Sequence, residues 1–178
     1  MRFTPDSAAA ELGRALDLGP KNSHVLVIAA DNLGFIGEPE KAVAAADEAL
    51  RLDPQMSPAN LGGMAWAYFL DRRFARAVEV LQAIPEASRR RGQRFMLAAS
   101  LALLGREQEA AAARGVFVGR FGEPSAEFWL QGYTAVARQQ ERDLLVEAFR
   151  KLGLPVCLKP EEAAKLANPQ RLPECVTS

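Results

Sequence analysis

The 178-residue sequence is poor in the groups on which most enzyme chemistry depends. It has one histidine, His24, and two cysteines, Cys157 and Cys175, so a zinc site would have to gather all three with a carboxylate from distant parts of the chain. Nucleophilic catalysis by either cysteine would need an adjacent base, and the sole histidine lies far away in sequence. No glycine-rich phosphate loop is present: Gly62-Gly63 is a dipeptide inside an expected helix, where close packing explains it. The 22 basic and 22 acidic residues cancel, leaving no overall field to draw the chain onto nucleic acid or an anionic membrane. The longest apolar runs, 25–30 and 95–104, fall well short of the roughly 20 residues that span a bilayer. Pro5 and Asp6 stand where a secretion signal needs an apolar stretch. These absences predict a non-catalytic chain with no cofactor, no metal, no nucleic-acid partner and no membrane span, in the cytoplasm, or in the periplasm if it is part of a membrane-anchored parent.

Aromatics are scarce at 7%, whereas alanine occurs in runs at 8–10, 44–46 and 110–113. Alanine is the best helix former and lets helices approach closely, so the composition predicts an all-α protein. The segments GEPEKAVAAADEALRLDP, DRRFARAVEVLQAIP and LGREQEAAAARGVFV align on Ala42, Ala77 and Ala110, at intervals of 35 and 33. Ala8 lies 34 before Ala42, and Pro20 lies 34 before Pro54. A repeat of about 34 residues, each unit a pair of short helices, follows from this register. The units are a half repeat at 1–20, repeats at 21–54, 55–87 and 88–121, a degenerate one at 122–153, and a capping tail at 154–178. Helices are expected at 5–18, 23–36, 38–52, 57–70, 73–84, 93–104, 107–118, 125–138 and 141–152, with a short one at 160–166. The chain opens on the second helix of a repeat whose first is missing, which predicts the C-terminal piece of a longer architecture, with an N-terminal cap at 1–18 as the alternative, and some self-association through that terminal helix.

The residues within the units resemble tetratricopeptide repeats. Met64, Ala65 and Tyr68 on one helix and Phe74, Ala77 and Leu81 on the next stand where that family places its signature residues. Ala29, Ala30, Leu33, Gly37, Ala42, Ala49 and Pro54 do so in the preceding unit, and Leu97, Ala98, Leu101, Gly105 and Ala110 in the following one. The resemblance implies a solenoid of helical hairpins, with small residues at the crossings and large ones filling the gap between pairs. A narrower resemblance covers nearly the whole chain. The runs 19–58, 63–78 and 141–155, with RLPEC at 171–175, are similar to the repeats behind the cyclase domain of bacterial class III adenylate/guanylate cyclase proteins, and similar repeats follow winged-helix activators. The metal-binding aspartates and base-reading residues of the cyclase domain have no counterpart here, because no βαββαβ pattern occurs. The implied role is the regulatory or scaffolding arm of a bacterial signalling protein; a small-molecule sensor, or the remnant of a cyclase that lost its catalytic domain, are the alternatives.

Three features are candidate sites. The concave groove of such a solenoid is lined by first helices, at positions that map here to His24, Val27, Asp31 and Phe35, then Ala59, Gly62, Trp66 and Phe69, then Phe95, Ala99 and Ala102. An apolar peptide or helix anchored near Trp66 and Phe95 is the expected ligand, with interior filling as the alternative role of those rings. Val27, Asp31, Ala59 and Gly63 depart from the basic set that clamps chaperone C-termini. The run SRRRGQR offers Arg89, Arg90, Arg91 and Arg94 to an anion or an acidic partner, although cations at a helix start oppose its dipole and a solvated loop is the competing reading. Cys157 and Cys175 flank the short tail helix; reduced thiols are expected in the absence of an export signal, with a disulfide as the alternative. Asp47-Glu48 and Glu161-Glu162 are read as solvated helix faces.

Overall fold

The computed structural model describes residues 5–34, 36–132, 139–166, 169 and 171–176. Eleven α-helices and no strand occur among them: α1 (Pro5–Leu18), α2 (Ser23–Leu33), α3 (Pro39–Leu52), α4 (Pro58–Leu70), α5 (Phe74–Ala83), α6 (Arg91–Leu103), α7 (Glu107–Phe121), α8 (Ala126–Gly132), α9 (Gln139–Lys151), α10 (Pro160–Ala163) and α11 (Pro173–Val176). Local chemistry sets the starts. The Asn22 side chain accepts from the amides of His24 and Val25, Ser57 Oγ accepts from Asn60 N, and Pro39 and Pro58 occupy the first turns of α3 and α4, where a missing N–H costs nothing.

The stops repeat as faithfully as the helices. Glu38 N donates to Leu33 O, Arg73 N to Tyr68 O and Arg106 N to Leu101 O, the same six-residue closure in three consecutive hairpins. That closure puts the penultimate residue in the left-handed region: Gly37 at φ 86°, Gly105 at φ 74° and, in the middle hairpin, Arg72 at φ 59°. Glycine takes this conformation without strain; Arg72 is the one non-glycine residue among those described with a positive φ.

The hairpins α2/α3, α4/α5 and α6/α7 stack so that α4 touches α2, α3 and α6, and α5 packs on α6. Small residues make this approach possible. Ala29, Ala30, Ala42, Ala46, Ala49, Ala65, Ala77 and Ala98 are all buried, and Met64, Tyr68, Phe69 and Leu81 fill the space between pairs. The result is an all-α, tetratricopeptide-like solenoid.

Four expected helices differ in extent or in what is described of them: the one expected at 107–118 runs on to Phe121 as α7. The helix expected at 23–36 stops at Leu33 because the hairpin closure begins there; Phe35, placed in the groove by the sequence, lies outside the described residues. The helix expected at 125–138 is described as α8 only to Gly132, and 133–138 lie outside the described residues. The tail helix expected at 160–166 ends at Ala163.

After α7 the stacking changes. The helix α9 packs on α6 more than on α8, its hairpin partner, and reaches back to the α4–α5 turn, where Glu147 pairs with Arg72 at 3.5 Å. Phe149 of α9 and Trp129 of α8 lie against Phe95 of α6, with ring centroids 4.7 and 4.6 Å away. No helix among the described residues is long and apolar enough to cross a membrane.

Candidate functional site

The predicted groove residues divide into three groups. Phe69, Phe95 and Ala99 are 0% exposed, which corrects their placement on an open face: Phe95 is enclosed by Trp129, Phe149 and Phe117. Val27 is also in the core, whereas His24 is exposed at the first turn of α2 and faces no other candidate residue. Asp31, Ala59, Gly62 and Trp66 border one open cavity.

That cavity, about 230 Å³, lies between the first helices and is lined by Asp31 of α2, by Ala59, Gly62, Gly63 and Trp66 of α4, and by Arg90, Gly92 and Gln93 at the start of α6. The two central glycines explain its shape. A Cβ on Gly62 would meet Gln93 Nε2 at 2.1 Å, and one on Gly63 would meet Asp31 Oδ1 at 2.8 Å, so both side chains lie across α4 where any other residue would displace them. Gln93 is held as a clip: Oε1 accepts from Arg90 N at 2.8 Å, and Nε2 donates to Pro58 O at 3.1 Å. The floor is therefore mixed, with Asp31 and Gln93 as its polar groups and exposed Ala59 and the edge of Trp66, 8% exposed, as apolar surface. Burial of its carboxyl against α4 pushes the Asp31 pKa above the ordinary carboxylate value.

The four arginines do not form one anion patch. Arg94 is 3% exposed, paired with Glu86 and donating to Glu86 O and Arg89 O. Arg89 donates to Leu81 O and Gln82 O and pairs with Glu86, tying the α5–α6 connection together. Arg91 lies over the rings of Phe128 and Trp129, its guanidinium carbon 5.6 and 5.1 Å from the centroids. Arg90 alone is exposed beside the cavity, and it joins no ion pair with a described residue. Guanidinium groups with carbonyls and carboxylates in reach satisfy buried acceptors first, which the bare charge run did not reveal.

Sequence reasoning missed Glu127. It is 0% exposed, at the start of α8, and accepts from Leu158 N and Leu172 N at 2.7 Å each and from Arg171 Nε at 3.0 Å. Beside it Cys157 and Cys175 form a disulfide, correcting the expectation of reduced thiols; folding the tail back onto α8 brings their Cα atoms to 5.4 Å. Glu127, Cys157 and Cys175 are the one group of three ligand-type residues close enough to share a metal among those described, but the sulfurs are bonded to each other and the carboxylate is taken by amides and Arg171. The cluster is structural. A lone acid in a degenerate repeat carries no periodic signal by which the sequence could have revealed it. Asp47, read as a solvated residue, is exposed but accepts from the buried Tyr68 Oη at 2.5 Å.

Residues 37–101 match the tetratricopeptide repeat family. This span contains α3 to α5 and most of α6, including Gly62, Gly63, Trp66, Arg90 and Gln93 of the cavity. No curated protein matches the chain. Tetratricopeptide repeats generally mediate protein–protein interaction and are typically non-catalytic.

Proposed function

We propose that the chain is a non-catalytic interaction module that receives an extended peptide between α2, α4 and α6. The observation that carries this reading is the cavity bordered by Asp31 on one side and Arg90 on the other, with Gln93 and the edge of Trp66 between them. Groups of opposite charge on the two sides of the cavity suit a peptide bearing both an acidic and a basic group. They fit an apolar helix poorly, because Phe69 and Phe95, which would have gripped one, are enclosed. The resemblance to cyclase-attached repeats supports a regulatory arm in bacterial signalling as the setting. The Cys157–Cys175 disulfide favours an oxidising compartment, such as the periplasm, over the cytoplasm.

Selection from a random displayed peptide library on the immobilised full chain tests the proposal. Selected peptides should carry both charges and lose affinity for Asp31→Ala and Arg90→Ala while the helical circular dichroism of both variants stays unchanged. Peptides that bind both variants as well as wild type would move the site elsewhere. Thermal stabilisation by metabolites with no peptide selected would favour the small-molecule sensor instead.

A further inference from the structure

A second cavity, about 240 Å³, lies at the C-terminal end of α4, between α3 and α9, and shares no residue with the first. Glu40 of α3, Leu70 and the turn residues Asp71 and Arg72, and Gln140, Glu141 and Leu144 of α9 line it. Glu141 is only 6% exposed, and its Oε2 is fully buried without a hydrogen-bond partner among the described residues. A buried carboxylate oxygen left unmet is costly, and native structures rarely keep one without a protein, water or ligand partner.

The other charges around the cavity are mostly acidic. Arg72 is the one cation among the lining residues, and its guanidinium is drawn to Glu147. Asp71 is engaged by Arg73 at 2.7 Å, and Glu40 forms no ion pair with a described residue. Two carboxylates without an ion pair among the described residues, Glu40 and the buried Glu141, thus line a cavity whose one lining cation, Arg72, is paired with Glu147. A compact metal ion does not suit them, because Glu40, Asp71 and Glu141 do not bring ligand atoms as close together as the group at Glu127 does. A cation carrying several N–H donors at its periphery can reach carboxylates that are farther apart.

We propose that this cavity is a binding site for an alkylammonium or guanidinium group, with Glu141 as its buried anchor and Glu40 as a second, exposed attraction. The group belongs either to a free amine or to a lysine or arginine side chain of a partner. The test is calorimetric titration of the full chain with propylammonium and propylguanidinium, alongside the peptides acetyl-Gly-Lys-Gly-amide, acetyl-Gly-Arg-Gly-amide and, as a neutral control, acetyl-Gly-norleucine-Gly-amide. Saturable binding of the cationic probes at one per chain is expected, weakened about tenfold or more by Glu141→Gln and about threefold by Glu40→Gln, as befits a buried and an exposed charge. Binding by the small cations alone assigns the site to free amines, and binding by the peptides alone assigns it to a protein partner. Should Glu141→Gln lower the helical signal, Glu40→Gln and ligand-induced protection of the amides at 140–144 decide the matter. The proposal is overturned if no cationic probe saturates, if the norleucine peptide binds equally well, or if neither substitution changes the affinity.

Discussion

The hairpins from α2 to α7 and the segment from α8 onward differ in what they add to a common apolar core. In the hairpins, buried alanines and large apolar residues recur with the repeat, and the same turn closure returns at Leu33–Glu38, Tyr68–Arg73 and Leu101–Arg106. Beyond α7 the closure returns once, from Leu154 N to Phe149 O, and Trp129, Leu144, Leu145 and Phe149 are buried, but single, non-repeating bonds are added: the carboxylate of Glu127, its neighbour Arg171, the disulfide, the Arg150–Glu174 pair, and the amides of Ala126 and Glu127 on the carbonyls of Pro155 and Val156. A stacked hairpin spreads its stability over many interchangeable contacts, whereas the C-terminal region adds to its apolar contacts a few polar atoms that have no counterpart in the hairpins. Loss of one contact should therefore be local and mild in the first region and disruptive in the second.

The largest effect is expected at Glu127. Replacing it by glutamine removes a buried charge from Arg171 and weakens two amide bonds, at a cost of about 3–5 kcal/mol. Hydrogen exchange should show α8 and the tail losing protection while α2 to α5 keep theirs; uniform loss across the chain would erase the distinction between the regions. Reduction of the disulfide opens a loop whose ends are 18 residues apart. It should lower stability by about 3 kcal/mol in the chain-entropy account, read as an earlier denaturant midpoint in dithiothreitol. An unchanged midpoint would mean that Glu127 and Arg171 latch the tail without help.

The repeat region is best probed where it departs from its own rule. Arg72→Gly relieves a left-handed arginine and should raise the thermal midpoint, by about 1 kcal/mol of stability, less any contribution of the exposed Arg72–Glu147 pair. A destabilised variant would show that the pair outweighs the strain. The smallest effect belongs to Tyr68. Burial, and then the hydrogen bond to Asp47, push its pKa from 10.0 up to about 12. The folded state therefore holds this proton more tightly than the unfolded chain does, so the associated stability is present at neutral pH and lost as pH rises from about 10 to 12. Tyr68→Phe should cost about 1 kcal/mol at pH 7. The gap from wild type should close across that alkaline window, as followed by urea unfolding; a gap independent of pH would assign the cost to packing alone.

Legibility in the sequence follows the same division. The register of Ala42, Ala77 and Ala110, with the glycines at 37 and 105, revealed the hairpins because a 34-residue period repeats one packing problem and its solution. Asp31 and Trp66 were legible as groove residues for that reason. Phe69, Phe95 and Ala99 were misplaced because the pattern of a single hairpin does not state which later helix will cover it. Arg94 and Arg89 read as surface charges because no local pattern shows that Glu86 and free carbonyls lie within reach.

By itself the sequence determined an all-α solenoid of stacked hairpins, the turns that close it, and the scarcity of groups for catalysis. The tertiary structure alone decided which charges are buried. It set Glu127 against the tail, left Glu141 facing a cavity, and freed Arg90 while enclosing Arg94. Repeat contacts arise between residues at fixed separations and so leave a periodic trace, whereas the environment of a single charge depends on segments that meet only once, when the chain folds.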